Sequence, residues 1–253
     1  MRRVDSSARA VRLRLLSVAA VLWIAAVSPA AAAVAIVQNP AISGYTTLDT
    51  GGDNFSFGGA TTGGNTVVVT IDAGADVTCS VADGTNGAYV EAVGSNGSSP
   101  GLDYVGIHHF RDAAAVTTIT VTCTGTATFS RVKLYELSGA DNAAAIPTDE
   151  NVEASAVTTH QCGSVGVSGT GFVVCAGTMS STRTATAGTG YTLDSIAGDT
   201  EAVVERQIGT FSGEIPDYTS SSTTGSRNVT ALFPEASASP GWRGCSPIGL
   251  GVC

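Results

Sequence analysis

Thr66-Val-Val-Val-Thr-Ile71, followed by Val77-Thr-Cys-Ser-Val81, decides the fold class of this chain. Side chains alternate between faces along a strand. The first run is apolar at consecutive positions, so it reads as a central strand covered on both faces. The second is apolar at every second position, so it reads as a strand with one buried face. Similar groups occupy 34–37, 54–57, 88–93, 104–110, 116–123 and 128–137, then 164–167, 171–179, 201–208 and 228–233. Turn material separates them: Gly58-Gly59, Gly63-Gly64, Asp83-Gly84, Asn86-Gly87, Asn96-Gly97 and the stretch 188–190. Short strands with Gly-rich turns and no sustained helical period predict an all-β chain, a two-layer antiparallel sandwich. Residues 143–158 show the weakest strand pattern and read as a long connection.

The start of the chain reads differently. Arg2, Arg3, Arg9, Arg12 and Arg14 precede an apolar run over 15–27, and Ser28-Pro29-Ala30-Ala31-Ala32-Ala33 follows. A basic start, a short apolar segment and small residues at a cleavage region make a signal peptide over 1–33. A run of about thirteen apolar residues is too short for a comfortable membrane span. The expectation is a β-sandwich domain over 34–236 and a Gly/Pro-rich tail over 237–253, secreted or periplasmic, with no membrane span after cleavage.

Cleavage after residue 33 would leave 7 basic and 20 acidic residues, a net charge of −13. Lys133 is the lone lysine, and no basic stripe exists. Such a surface repels phosphate backbones, which argues against a nucleic-acid partner.

The six cysteines, Cys79, Cys123, Cys162, Cys175, Cys245 and Cys253, read as a disulfide framework, because an even count in an exported chain favours bridges. A two-residue turn at Ser168-Gly169 would set Cys162 opposite Cys175. Cys79 and Cys123 each share a strand face with apolar neighbours and can meet in a core. Cys245 and Cys253 are left to close a C-terminal loop. No Cys-x-x-Cys spacing occurs, so no zinc site is expected.

The order of these phrases resembles a known architecture. Asn65-Thr-Val-Val-Val-Thr-Ile71 is followed by Val77-Thr-Cys-Ser-Val-Ala-Asp-Gly-Thr-Asn-Gly-Ala-Tyr89 and Val116-Thr-Thr-Ile-Thr-Val-Thr122. Val132-Lys-Leu-Tyr-Glu-Leu-Ser-Gly-Ala140, Gly171-Phe-Val-Val174, Thr186-Ala-Gly-Thr-Gly-Tyr191 and Val229-Thr-Ala-Leu-Phe233 complete it. The pattern, spanning about 34–236, resembles the jelly-roll β-sandwich modules of bacterial exported proteins, phage structural proteins and appendages of polysaccharide-active enzymes. The resemblance implies a surface used for adhesion, glycan contact or assembly. It carries over no catalytic residue.

Candidate chemistry is sparse. His108 and His109 are strand neighbours pointing to opposite faces, so they cannot easily share a metal. Val105, Ile107 and His109 should line one side, and Tyr104, His108 and Phe110 the other. His160 stands near Cys162. No Gly-x-Ser-x-Gly elbow occurs, and Ser164 and Ser168 lie among glycines, so a Ser-His-Asp site is not expected. Asp149, Glu150, Asn151 and Glu153 cluster in the expected connection; clustered oxygens can hold calcium, but solvated loop acids are the plainer reading. Tyr45, Tyr89, Tyr104, Tyr191 and Tyr218 are candidate sugar platforms, with Trp23 in the leader and Trp242 in the tail. Asn54, Asn96 and Asn228 begin glycosylation sequons. The expectation is a non-enzymatic module for surface, glycan or protein contact, with no metal or cofactor. The alternatives are a self-assembling structural subunit, hence a homo-oligomer, and a secreted hydrolase.

Overall fold

The computed structural model describes residues 32–97, 103–164, 166–181, 183–194 and 202–237, and in these every regular element is a strand. The expected leader, apart from its last two residues, lies outside them, as does the tail beyond Ser237 with Cys245, Cys253 and Trp242. Among the described residues, no helix is long and apolar enough to cross a membrane.

The first half of the chain holds β1 (Ala35–Gln38), β2 (Thr46–Leu48), β3 (Asp53–Ser56), β4 (Asn65–Ala73) and β5 (Cys79–Asp83). It continues with β6 (Gly87–Ala88), β7 (Val90–Ser95), β8 (Tyr104–Ala113), β9 (Thr118–Cys123) and β10 (Ala127–Ser138). One sheet runs β1-β10-β4-β8-β7, with β2 added beside β10. A second runs β3-β9-β5-β6. All pairs are antiparallel, and the chain passes repeatedly between the two sheets. This is the double Greek-key wiring of a jelly roll.

The second half holds β11 (Thr148–Gln161), β12 (Val167–Met179), β13 (Ala185–Ala187), β14 (Thr192–Leu193), β15 (Ala202–Glu214) and β16 (Asp217–Pro234). They form a third antiparallel sheet, β11-β16-β12-β15-β14, with β13 beside β16. The expected sandwich is present, and this sheet adds a further layer.

Alternation along β4 explains the layering. Val67, Val69 and Ile71 pack with Val81, Ile119 and Val121 of the second sheet. Val68, from the opposite face, packs with Phe172, Val174, Val229 and Phe233 of the third. The central position expected for residues 66–71 follows, with β10 and β8 on either side. The faces expected around the histidines are also found. Val105 and Ile107 join the third-sheet core, and His109 meets the Phe233 ring at 5.8 Å. Tyr104 faces the jelly-roll core, with its hydroxyl 2.8 Å from His108 Nε2.

Among the described residues, two disulfides form, each within a single sheet. Cys79 and Cys123 are direct cross-strand partners between β5 and β9, with Cα atoms 4.0 Å apart. Cys162, just past β11, is bonded to Cys175 in β12. That pairing was expected, but its route was not. Ser168 and Gly169 make no hairpin; they lie inside β12 and pair with β15. The segments at 164–167 and 171–179 are therefore not two strands flanking a turn.

The expected connection over 143–158 is also corrected. Residues from Thr148 onward form β11, antiparallel to β16. Both strands then fold back on themselves. Glu153 and His160 are seven residues apart, which an extended strand would stretch over about 23 Å. Yet His160 Nδ1 lies 3.0 Å from Glu153 Oε2. Likewise the Tyr218 hydroxyl donates to Asn228 Oδ1 at 2.8 Å within the same β16. Register shifts in β11 after Glu153 and after Val157 mark the bend.

Candidate functional site

An aromatic shelf occupies one end of the jelly roll. A register irregularity in β10 between Ala127 and Ser130 places Phe129 at φ 60°, a region bulky residues avoid. Bulges of this kind re-aim side chains. Here the outcome is a phenyl ring 64% exposed, and Tyr45, 50% exposed, meets it edge-on at 5.5 Å. Arg131 is buried and sets its guanidinium carbon 3.5 Å from the centre of the Tyr45 ring. That cation–π contact backs the tyrosine from beneath.

The bulge is held locally. Ser130 Oγ donates to Ala127 O at 3.0 Å and accepts from the Gly74 N–H at 3.2 Å. Gly74 is required there, because a Cβ would collide with the Thr128 carbonyl. Beside Phe129 opens a cleft of about 210 Å³, lined also by Asp72, Gly74, Asp103, Thr178, Met179 and Ser180. Pockets that engulf small molecules measure roughly 300–1,000 Å³. This one is smaller, so a ligand would lie across it. Its lining sets two carboxylates beside the exposed Phe129 ring and the apolar Met179.

A second cluster lies under the folded-back ends of β11 and β16. His160 and Tyr218 stack with ring centroids 4.9 Å apart. His160 Nδ1 meets Glu153 Oε2 and, at 2.9 Å, Ser226 Oγ; His160 Nε2 meets Ser220 Oγ at 2.9 Å. Asn228 Nδ2 donates to Gln161 O and Ser226 Oγ. Burial pushes the Glu153 carboxyl up, but hydrogen bonds from His160, the Gln161 N–H and Ser226 outweigh it and hold its pKa below the usual range. Nearby, Glu205 is buried against the Cys162 sulfur and accepts from the Gly188 N–H. Burial lifts its pKa to about 8 despite that hydrogen bond, with Asp217 adding to the rise.

The structure separates the residues singled out from the sequence. His108 and His109 are buried in different cores, and burial lowers both pKa values to about 4. Asp149, Asn151 and Glu153 lie on a strand rather than in a loop. Asp149 accepts from the Ser164 N–H and hydroxyl, and Asn151 donates to Glu153. The acids expected to be solvated thus serve partly as internal acceptors. Among the described residues, three potential metal-binding side chains converge at Cys162, Cys175 and Glu205, but the two sulfurs are bonded to each other. Of the five tyrosines singled out as sugar platforms, Tyr45 is exposed, Tyr191 is partly buried, and Tyr89, Tyr104 and Tyr218 are buried. Asn228 is fully buried, so its sequon is closed in the folded chain, whereas Asn54 and Asn96 are exposed. Phe129 was not expected, since nothing in Thr128-Phe-Ser130 announces a left-handed residue.

Searches against family models, curated proteins and solved structures give no match to this chain, so its sites are interpreted from their own geometry.

Proposed function

We propose that this protein is an exported contact module that holds a neutral glycan across the Tyr45–Phe129 shelf. The observation that carries the reading is the bulge that turns Phe129 outward against Tyr45, beside a cleft lined by Asp72 and Asp103. A backbone held in a sparsely populated conformation at a surface is a common mark of a ligand clamp. The aliphatic face of a sugar ring suits an exposed aromatic, and its hydroxyls suit carboxylate acceptors. The strongly acidic composition disfavours anionic sugars. Two disulfides agree with an oxidising compartment outside the cytoplasm.

The test is a glycan array followed by calorimetric titration of the best neutral ligand. Phe129→Ala with Tyr45→Ala should weaken binding about thirtyfold or more, the scale of an aromatic anchor. Unchanged affinity in that double variant overturns the reading. So does an array without neutral binders; light scattering that then showed concentration-dependent multimers would favour a self-assembling subunit.

A further inference from the structure

We propose that Ser220, His160 and Glu153 form a nucleophile, a base and an orienting acid able to cleave short acyl esters. This site is separate from the aromatic shelf, and the inference does not rest on glycan binding.

The three groups stand in a line. Ser220 Oγ is 2.9 Å from His160 Nε2, and His160 Nδ1 is 3.0 Å from Glu153 Oε2. A carboxylate at Nδ1 keeps the proton on that nitrogen and leaves the Nε2 lone pair facing the serine, the relation that activates a hydroxyl. Glu153 is suited to the role, since its hydrogen bonds keep it ionised. The imidazole is fixed on several sides. It stacks on Tyr218, Ser226 touches Nδ1, and the disulfide at Cys162 pins the chain two residues further on.

Access is limited to one end. His160 and Ser226 are fully buried, whereas Ser220 is 8% exposed and followed by exposed Ser221 and Ser222. Only a small acyl group could reach the hydroxyl. The Ser220 hydroxyl is also placed to donate to the Ser222 carbonyl at 2.8 Å, so it turns from that acceptor to Nε2 before attack.

The chemistry balances without a cofactor. Ser220 Oγ bonds to the acyl carbon while its proton passes to His160 Nε2. The ester C–O bond breaks, and the departing alkoxide takes that proton. Water then repeats the sequence on the acyl-serine, returning free serine and a carboxylic acid. The net reaction is ester plus water giving alcohol plus acid.

The experiment treats the exported protein with a fluorophosphonate probe and, separately, with p-nitrophenyl acetate. A single adduct on Ser220, located by peptide mass spectrometry, is expected, and Ser220→Ala should remove it. His160→Gln should slow labelling about a hundredfold or more, the weight of a general base. Glu153→Gln should lower the rate and change its pH profile, which a purely structural role would not do. Should Ser220→Ala fail to fold by thermal melt, Ser220→Cys serves instead. Its alkylation by iodoacetamide should be faster than in the Ser220→Cys/His160→Gln double variant. Absence of a Ser220 adduct on the native protein overturns the proposal, as does labelling or alkylation indifferent to His160.

Discussion

Residues 35–138 and residues 148–234 both build antiparallel sheets and both bury polar groups, but the apolar core of the first and the polar cluster of the second hold by different chemistry. The jelly-roll half closes on Val67, Val69, Ile71, Val81, Ile119 and Val121, and it also buries His108, His109, Arg131, Lys133 and Glu136. Beyond the face that packs on the jelly roll, the second half buries His160, Ser226, Asn228, Glu205 and Tyr218 beside small apolar clusters. An apolar core needs only volume and alternation, and tolerates many solutions. A polar one needs each donor and acceptor matched, because an unmatched buried group costs about 1–3 kcal/mol. The cluster around His160 and Asn228 is therefore more specific and more easily broken than the apolar core around Val67, Val69 and Ile71.

The disulfides give the largest handle on this contrast. The Cys79–Cys123 bridge closes a separation of 44 residues and the Cys162–Cys175 bridge one of 13. Loop-closure entropy assigns them about 4 and about 3 kcal/mol. Denaturant unfolding of the two paired Cys→Ala variants should return that order. If the 162–175 variant loses more, the bridge is holding the polar cluster in register as well as restricting the unfolded chain.

Asn228→Ala comes next. It strips an acceptor from buried Tyr218, a donor from buried Ser226 Oγ and a donor from Gln161 O. A loss of about 2–3 kcal/mol is expected from the groups left unpaired. Gly177→Ala should act on the same cluster, because its Cβ would collide with Asn228 Oδ1.

Acidity should separate the halves as well. His108 and His109, in the jelly-roll half, hold pKa values lowered to about 4, mainly by burial. Such groups give stability that is complete above about pH 6.5 and is lost as pH falls toward 4. Glu205, in the third sheet, holds a pKa raised to about 8 by burial. Its contribution is complete below about pH 4.5 and is lost as pH rises through 8. Where the two windows overlap, two imidazoles outweigh one carboxyl, so Tm should peak near pH 6.5. From there to pH 8 the decline should approach about 2 kcal/mol. Glu205→Gln should flatten the alkaline limb alone, and His108→Asn should reduce the acid limb alone.

The smallest effect belongs to the shelf. Phe129→Gly relieves a left-handed conformation and should raise stability by about 1 kcal/mol while weakening ligand binding. A loss of stability would mean that the ring contributes to packing despite its exposure.

The same division explains what could be read from the residues. Strands with a one-sided or two-sided apolar pattern were legible, as were both described disulfides and the opposed faces of His108 and His109. β11 was not, because Thr148–Gln161 faces polar partners and so carries no apolar alternation. The folding back of β11 and β16 was equally hidden. It brings His160 to Glu153 and Ser220 across 7 and 60 positions of sequence, through hydroxyls that are abundant everywhere in this chain. The outward turn of Phe129 depends on backbone torsion, which Thr128-Phe-Ser130 does not encode by composition.

The double covering of β4 has a consequence during maturation. β1 can pair with β10 only after residues 103 positions apart meet, and β4 is sealed only when all three sheets have assembled. Topologies dominated by such distant pairings assemble slowly. Until they finish, Thr66-Val-Val-Val-Thr-Ile71 is an uncharged, β-prone hexapeptide without proline, the kind of segment that nucleates amyloid-like stacking. Newly made copies are thus most vulnerable to aggregation through the very strand that ends up best shielded.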